Sequence, residues 1–183
     1  MDELSLPDKV VALDIELSKS GIAHAFRGAI ALAYYAEPRA TIDIDINLFV
    51  DPGEYESVMD VLGGLGVEGR AGSDEVQRHG QTRTWWGRNP VDLFFAYDPF
   101  HGAMKERVRK VDFGQTKIPV LAPEHLLVCK AAFDRPKDWI DIEQMLVGTD
   151  LLDEDETMEW LERVLDSGDE RVERVKRLWR KNR

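Results

Sequence analysis

From residue 41 to residue 50 apolar and polar positions alternate strictly: Ile42, Ile44, Ile46 and Leu48 fall on one side, and Thr41, Asp43, Asp45 and Asn47 on the other. A period of two predicts a strand with one face in the core. Elsewhere helical spacing dominates. Val10, Val11, Leu13 and Leu17 predict a helix over 8–20, closed by Gly21. His24–Phe26 reads as a short strand, and Ala29–Ala36 as a helix that Pro38 stops. Asp51-Pro52-Gly53 predicts a turn. It leads into an amphipathic helix over 54–65 built on Tyr55, Val58, Val61, Leu62 and Leu65.

The segment 66–90 is glycine-rich and polar, with short strands expected around Val76 and from Thr82 to Trp86. Val91–Tyr97 predicts a clear strand, 100–110 a helix and Lys117–Leu121 a strand. Pro123, suited to a first helical turn, opens a helix through Phe133, and Asp138–Leu146 is helical again. Two further helices are expected over about 153–166 and 168–181. The elements predict a mixed α/β core over 1–121 followed by a helical region over 122–183.

Charge changes this picture in one respect. The formal net charge is −11, which argues against a broad phosphate-binding surface but not against a local basic groove. Acid is concentrated over 150–170, whereas the last stretch carries Arg171, Arg174, Lys176, Arg177, Arg180, Lys181 and Arg183. That segregation suits a solvated helix pair, or a basic helix that meets RNA or an acidic partner. A single cysteine, Cys129, excludes an intramolecular disulfide. The N-terminus MDELSLPDKV has no leader pattern, and no apolar run approaches the ~20 residues that span a bilayer. A cytoplasmic protein is expected.

The strand at 41–50 holds the candidate chemistry. Asp43 and Asp45 share a face, with Cα atoms about 6.6 Å apart at roughly 3.3 Å per residue. Aspartate is a poor strand former, and two on one face repel unless a cation sits between them. Taken alone, the pair reads more often as a polar outer face. Its company changes the balance. Arg27-Gly28 precedes a helix, where a glycine lets backbone approach a phosphate. Asp92, near the start of the strand over 91–97, offers a third acid from a second strand, as a two-metal site requires. Lys130 and Arg135 are cations suited to phosphate, and Asp138 and Asp141 lie at i and i+3 on one helix face. A surface lysine and a helix-start aspartate explain part of that last group equally well. Trp85-Trp86 offers aromatic faces for base stacking, or one core and one surface side chain. His24, His79, His101 and His125 show no ligand spacing.

Arg27-Gly28-Ala29 through Leu32, followed by Arg39-Ala40-Thr41-Ile42-Asp43-Ile44-Asp45, resembles the first motif of the polymerase-beta-like nucleotidyltransferases. The segment from Lys130 through Arg135-Pro136-Lys137-Asp138 to Asp141 is similar to a later motif of the AbiEii toxin branch, which includes the MenT toxins. The resemblance covers about residues 22–146, with Arg27 where the family usually has a first glycine. It implies a nucleotidyltransferase fold, a small mixed twisted sheet flanked by helices, with Mg2+ on Asp43, Asp45 and Asp92. It further implies an NTP, CTP or UTP above all, bound through Arg27, Gly28, Arg39 and Lys130. Catalytic roles then fall to Asp43, Asp45, Lys130 and Asp138, with Arg135 and Asp141 in support. The activity implied is transfer of a nucleotide to the 3′ end of tRNA by a toxin with a cognate antitoxin, silenced by phosphorylation of Thr41. A small-molecule acceptor such as an antibiotic, or a partner protein, is the alternative. A degenerate nucleotide-binding module ranks last, because the acids are all present.

Overall fold

The computed structural model describes residues 4–69 and 71–183. Residues 1–3 of the N-terminal reading and Arg70, within the 66–90 segment, lie outside the described residues. The order is α1 (Leu6–Lys19), β1 (His24–Phe26), α2 (Gly28–Leu32), β2 (Ile44–Leu48), a 3-10 turn at Pro52–Glu54, α3 (Tyr55–Gly63), β3 (Glu68–Gly69), α4 (Ser73–His79), β4 (Gln81–Trp86), β5 (Asn89–Phe95), α5 (Pro99–Glu106), β6 (Arg109–Phe113), β7 (Thr116–Val120), α6 (Pro123–Phe133), α7 (Pro136–Gly148), α8 (Glu154–Leu165) and α9 (Glu170–Asn182). None of the described helices is long and apolar enough to cross a membrane.

The chain divides into two compact units, Met1–Ile30 with Ala40–Val120, and Ala31–Arg39 with Leu121–Arg183. The second therefore takes in Ala31–Arg39, a segment the sequence assigns to the core domain.

All seven strands lie in the first unit and form one mixed sheet of order β3-β4-β5-β2-β1-β7-β6. β2 and β5 run parallel, as do β1 and β7, and the other neighbours are antiparallel. The two central strands alternate in phase. Ile44 faces Val91, Ile46 faces Leu93 and Leu48 faces Phe95, all fully buried. Between them Asp45 faces Asp92 and Asn47 faces Phe94. The apolar side of the unit is completed by Val10, Leu13 and Leu17 of α1, which packs on β1 and β7 and touches α3, and by Val58 and Leu62 of α3. Burying a side chain of this size contributes about 1.5–3 kcal/mol, which fixes the register and so decides that Asp45 and Asp92 sit on the opposite face.

The structure differs from the sequence expectation at four places. The central strand begins at Ile44, because the Thr41 hydroxyl accepts a hydrogen bond from the Asp43 N–H at 3.1 Å and turns the backbone there. The helix expected over 29–36 stops at Leu32, with Tyr34 and Tyr35 bonded back to Ala31 and Leu32 in tight i to i+3 turns. Around Val76 stands a helix, α4, in place of a strand. It is capped at its C-terminus by Gly80, whose φ of 65° is left-handed. The helix expected over 100–110 ends at Glu106, and Arg109–Phe113 instead forms edge strand β6, paired to β7 across the turn at Gly114.

In the second unit α6 is buried along nearly its whole length and contacts α7, α8 and α9. Leu161 and Leu165 of α8 and Val172, Val175 and Trp179 of α9 supply the apolar seams of the last two helices. Half of the basic side chains of α9, and Arg183 after it, make contacts within the unit. Arg171 pairs with Asp169 and donates to the Ala132 carbonyl, and Arg174 lies over the Trp139 ring at 3.9 Å. Lys176 bonds Glu162 and Glu173, and Arg183 donates to the carbonyls of Leu146 and Thr149.

Candidate active site

The residues singled out by the sequence fall into two groups, one in each unit. In the first, Asp45 and Asp92 are Cα partners on parallel strands, so their side chains leave the same face of the sheet. Asp43 stands two residues before Asp45, held by the Thr41 turn, and both acids are half-buried.

Gly28 is fitted against this face. Its φ is +59°, and a Cβ there would lie 1.9 Å from Asp45 Oδ2 and 2.7 Å from Cγ. Only the missing side chain lets the carboxylate occupy that space. The preceding residue is tied to the same strand, since the Arg27 N–H donates to the Asp45 carbonyl at 2.9 Å. The Arg27 side chain turns inward. It is 7% exposed, donates to Asn47 Oδ1 at 3.2 Å and lies 4.2 Å from the Phe94 ring centre.

Gly28→Ala is expected to lower stability by about 2 kcal/mol, from left-handed strain of about 1–2 kcal/mol plus displacement of Asp45. Gly21→Ala provides the control, since Gly21 shares the backbone conformation at φ +70° but has open space around it. Chemical denaturation of the two variants isolates the contribution of the Asp45 contact, and equal losses would show that there is none.

Three residues that the sequence reading passed over organise the same face. Arg83 on β4 is the antiparallel partner of Asp92, and its Nε and Nη2 donate to Asp92 Oδ1 and Oδ2 at 2.8 and 2.7 Å. The hydrogen bond to Asp92 raises the guanidinium pKa, and the charges of Asp92, Asp43 and Asp45 add to the rise against the lowering effect of burial. Asp92 is the carboxylate that Arg83 binds directly. Lys9 of α1, 1% exposed, donates to the Trp86 carbonyl at 2.9 Å and to Asn89 Oδ1 at 2.8 Å. The Asn89 amide donates in turn to the Ile42 carbonyl at 2.8 Å. A chain of hydrogen bonds therefore runs from α1 to the backbone just before Asp43. Arg83 had a faint sequence signal, its place between Thr82 and Thr84 on the outward face of a strand. Lys9 had none, because a lysine in a first helix reads as surface.

In the second unit Lys130 is 4% exposed and donates to Asp141 Oδ2 at 2.6 Å, with Asp138 Oδ1 at 4.0 Å. Arg39 approaches Asp141 through Nε and Nη2, each at 3.3 Å. Arg135 grips Asp138 with Nε at 2.6 Å and Nη2 at 3.2 Å, and its own N–H donates to the same carboxylate at the start of α7. Burial pushes the Lys130 ammonium below its ordinary range, and the hydrogen bond and charge of Asp141, then the charge of Asp138, pull it back up. Asp138 and Asp141, 1% and 2% exposed, are partnered by these cations.

Among the described residues no three His, Cys, Asp or Glu side chains form a ready group for a metal ion. Of the acids Asp43, Asp45 and Asp92, the last has both oxygens bonded by the Arg83 guanidinium. As a donor set they suit Mg2+, a hard cation that takes oxygen ligands and commonly binds through one or two carboxylates plus substrate phosphates.

No family model and no curated protein matches the chain. Solved structures do. ANT(2'')-Ia in complex with adenylyl-2''-tobramycin is 13% identical with a TM-score of 0.57, over 96% of this chain and 97% of that one. The lincosamide antibiotic adenylyltransferase LnuA, lincomycin-bound, is 13% identical with a TM-score of 0.56, over 81% of this chain and all of the other. An antigenic nucleotidyltransferase-like protein from Paracoccidioides brasiliensis is 14% identical with a TM-score of 0.55, over 97% and 88% of the two chains. The chain has the nucleotidyltransferase fold.

Proposed function

We propose that the protein transfers a nucleoside monophosphate from an NTP to an acceptor hydroxyl, with Mg2+ held by Asp43, Asp45 and Asp92. The observation that carries this reading is the side-by-side placement of Asp45 and Asp92 on parallel strands, with Gly28 fitted against Asp45, in a nucleotidyltransferase fold. Mg2+ bound there neutralises charge on the triphosphate. The chain's own part is to hold the carboxylates in register, through the buried alternation of β2 and β5, and to leave room at Gly28 for the Asp45 carboxylate. Arg27, turned inward, supports this wall through Asn47 and Phe94. The roles of Lys130 and Arg39 on the triphosphate and of Asp138 at the acceptor rest on the resemblance alone. A phosphate on Thr41 would replace the hydroxyl that holds the Asp43 turn and add negative charge beside the acids.

For the acceptor we favour a cationic small molecule. The net charge of −11 supports it, as does the internal use of Arg171, Arg174 and Lys176, which takes half of the basic side chains of α9. Two proteins of the same fold, described as an antibiotic-resistance factor and an antibiotic adenylyltransferase, point the same way. The second reading is the toxin one, transfer from CTP or UTP to the tRNA 3′ end under control of an antitoxin. The outward-facing Arg177, Arg180 and Lys181 of α9 favour it.

Incubation with each labelled NTP, Mg2+, and either an aminoglycoside and lincosamide panel or total tRNA separates the readings. Label on an antibiotic, lost on chelation of Mg2+, is expected. Label on tRNA would replace the first acceptor by the second, and transfer that survives EDTA would overturn the metal site.

A further inference from the structure

We propose that Arg83 is exchanged during the cycle: it holds Asp92 in the metal-free protein, gives the carboxylate up to the incoming cation, and passes to the polyphosphate that arrives with it. The inference rests on the reading of Asp43, Asp45 and Asp92 as the metal face and assigns a role to a residue outside that set.

Three observations carry it. Arg83 is placed by register: the antiparallel pairing of β4 with β5 sets its Cα opposite that of Asp92, so the guanidinium leaves the acid face of the sheet. Its hold on Asp92 is bidentate, at 2.8 and 2.7 Å, which occupies both oxygens that a metal would use. The two partners are unequally anchored. The Asp92 side chain is 16% exposed and fixed in the central sheet, whereas the Arg83 side chain is 53% exposed. The arginine is therefore the member free to leave, since it carries little burial and returns to water at small cost.

Charge supplies the reason for the hold and for the release. Without a cation, Asp45 and Asp92 side by side on adjacent strands repel one another, and Arg83, bonded to Asp92, is a counter-ion on this face. A divalent ion bearing a triphosphate delivers two charges to the acids and several negative oxygens beside them. A planar guanidinium fork matches phosphate oxygens as well as it matches a carboxylate. The same side chain then changes partner without travelling far, and it favours the NTP complex over the bare metal complex.

Mn2+ binding to the nucleotide-free protein, read by electron paramagnetic resonance, and the KM for NTP test this in wild type, Arg83→Gln, Arg83→Lys and Asp45→Asn. Arg83→Gln is expected to bind Mn2+ about five-fold tighter, the factor an exposed ion pair is worth, with a KM for NTP about ten-fold higher, as for a lost charged hydrogen bond. Arg83→Lys, which keeps the charge but not the fork, is expected to fall between. Mn2+ affinity unchanged in Arg83→Gln, while Asp45→Asn abolishes binding, overturns the exchange and leaves the metal face standing. Tighter Mn2+ binding with an unchanged KM overturns the passage to phosphate. Mn2+ binding that survives Asp45→Asn overturns the metal face itself.

Discussion

Asp45→Asn is expected to lower nucleotidyl transfer by on the order of 10³-fold, roughly 4 kcal/mol of barrier, while the melting temperature stays near or above that of wild type. The substitution keeps the shape of the side chain and the space beside Gly28, and removes only its charge. Asp45 and Asp92 are opposed on adjacent strands, so loss of one negative charge relieves their repulsion, while aspartate and asparagine are similarly poor strand formers. Function and stability should therefore move in opposite directions, which is the behaviour of a residue retained for chemistry. Transfer of labelled nucleotide and thermal melting measure the two. Full activity in this variant would end the mechanism proposed above. A large fall in melting temperature would assign Asp45 a structural role instead.

Asp141→Ala is expected to have the largest effect on stability. The aspartate is the closest partner of the buried Lys130 and also accepts from Arg39. Its loss leaves the ammonium inside with only Asp138, at 4.0 Å. Removing one partner of a buried pair costs about 3–5 kcal/mol, or roughly 10 °C in melting temperature for a chain of this size. The double variant Lys130→Met with Asp141→Leu is expected to recover most of the loss, because apolar side chains of similar volume need no partner there. Its activity then decides what the pair is for. A stable double variant without transfer activity would give Lys130 or Asp141 a part in the reaction. A stable and active one would mark the pair as packing. A single-variant loss below about 1 kcal/mol would mean that water reaches the pair.

The sequence carried the central strands because their burial writes a period of two into the chain. Ile44, Ile46 and Leu48 on β2, and Val91, Leu93 and Phe95 on β5, are each fully buried at alternate positions. The same pattern exposed the acids, since Asp45 and Asp92 interrupt apolar runs. Segments whose formation depends on partners were harder. Helix α4 buries Val76 alone, so Ser73–His79 shows no helical period. Strand β6 is an edge strand with no fully buried residue, and its alternation is too weak to distinguish it from the end of a helix. Arg83 and Lys9 acquire their meaning only from pairings across the sheet and across 77 positions of chain. Burial of Lys130, Asp138 and Asp141 was hidden for a related reason. Charged residues on a helix read as surface unless their mutual neutralisation is known, and that is a tertiary fact.

The parallel pairing of β2 with β5 also dictates when the carboxylate face first exists. A parallel pair cannot be closed by a tight turn and needs a long crossover. Here the chain must lay down α3, β3, α4 and β4 before β5 returns beside β2. A nascent chain that has just completed β2 holds Asp43 and Asp45 without Asp92 or Arg83, and so has neither the third acid nor the counter-ion. The acid face and its guanidinium are acquired together, when the middle of the sheet closes, and a partly synthesised chain has no working fragment of the site to expose.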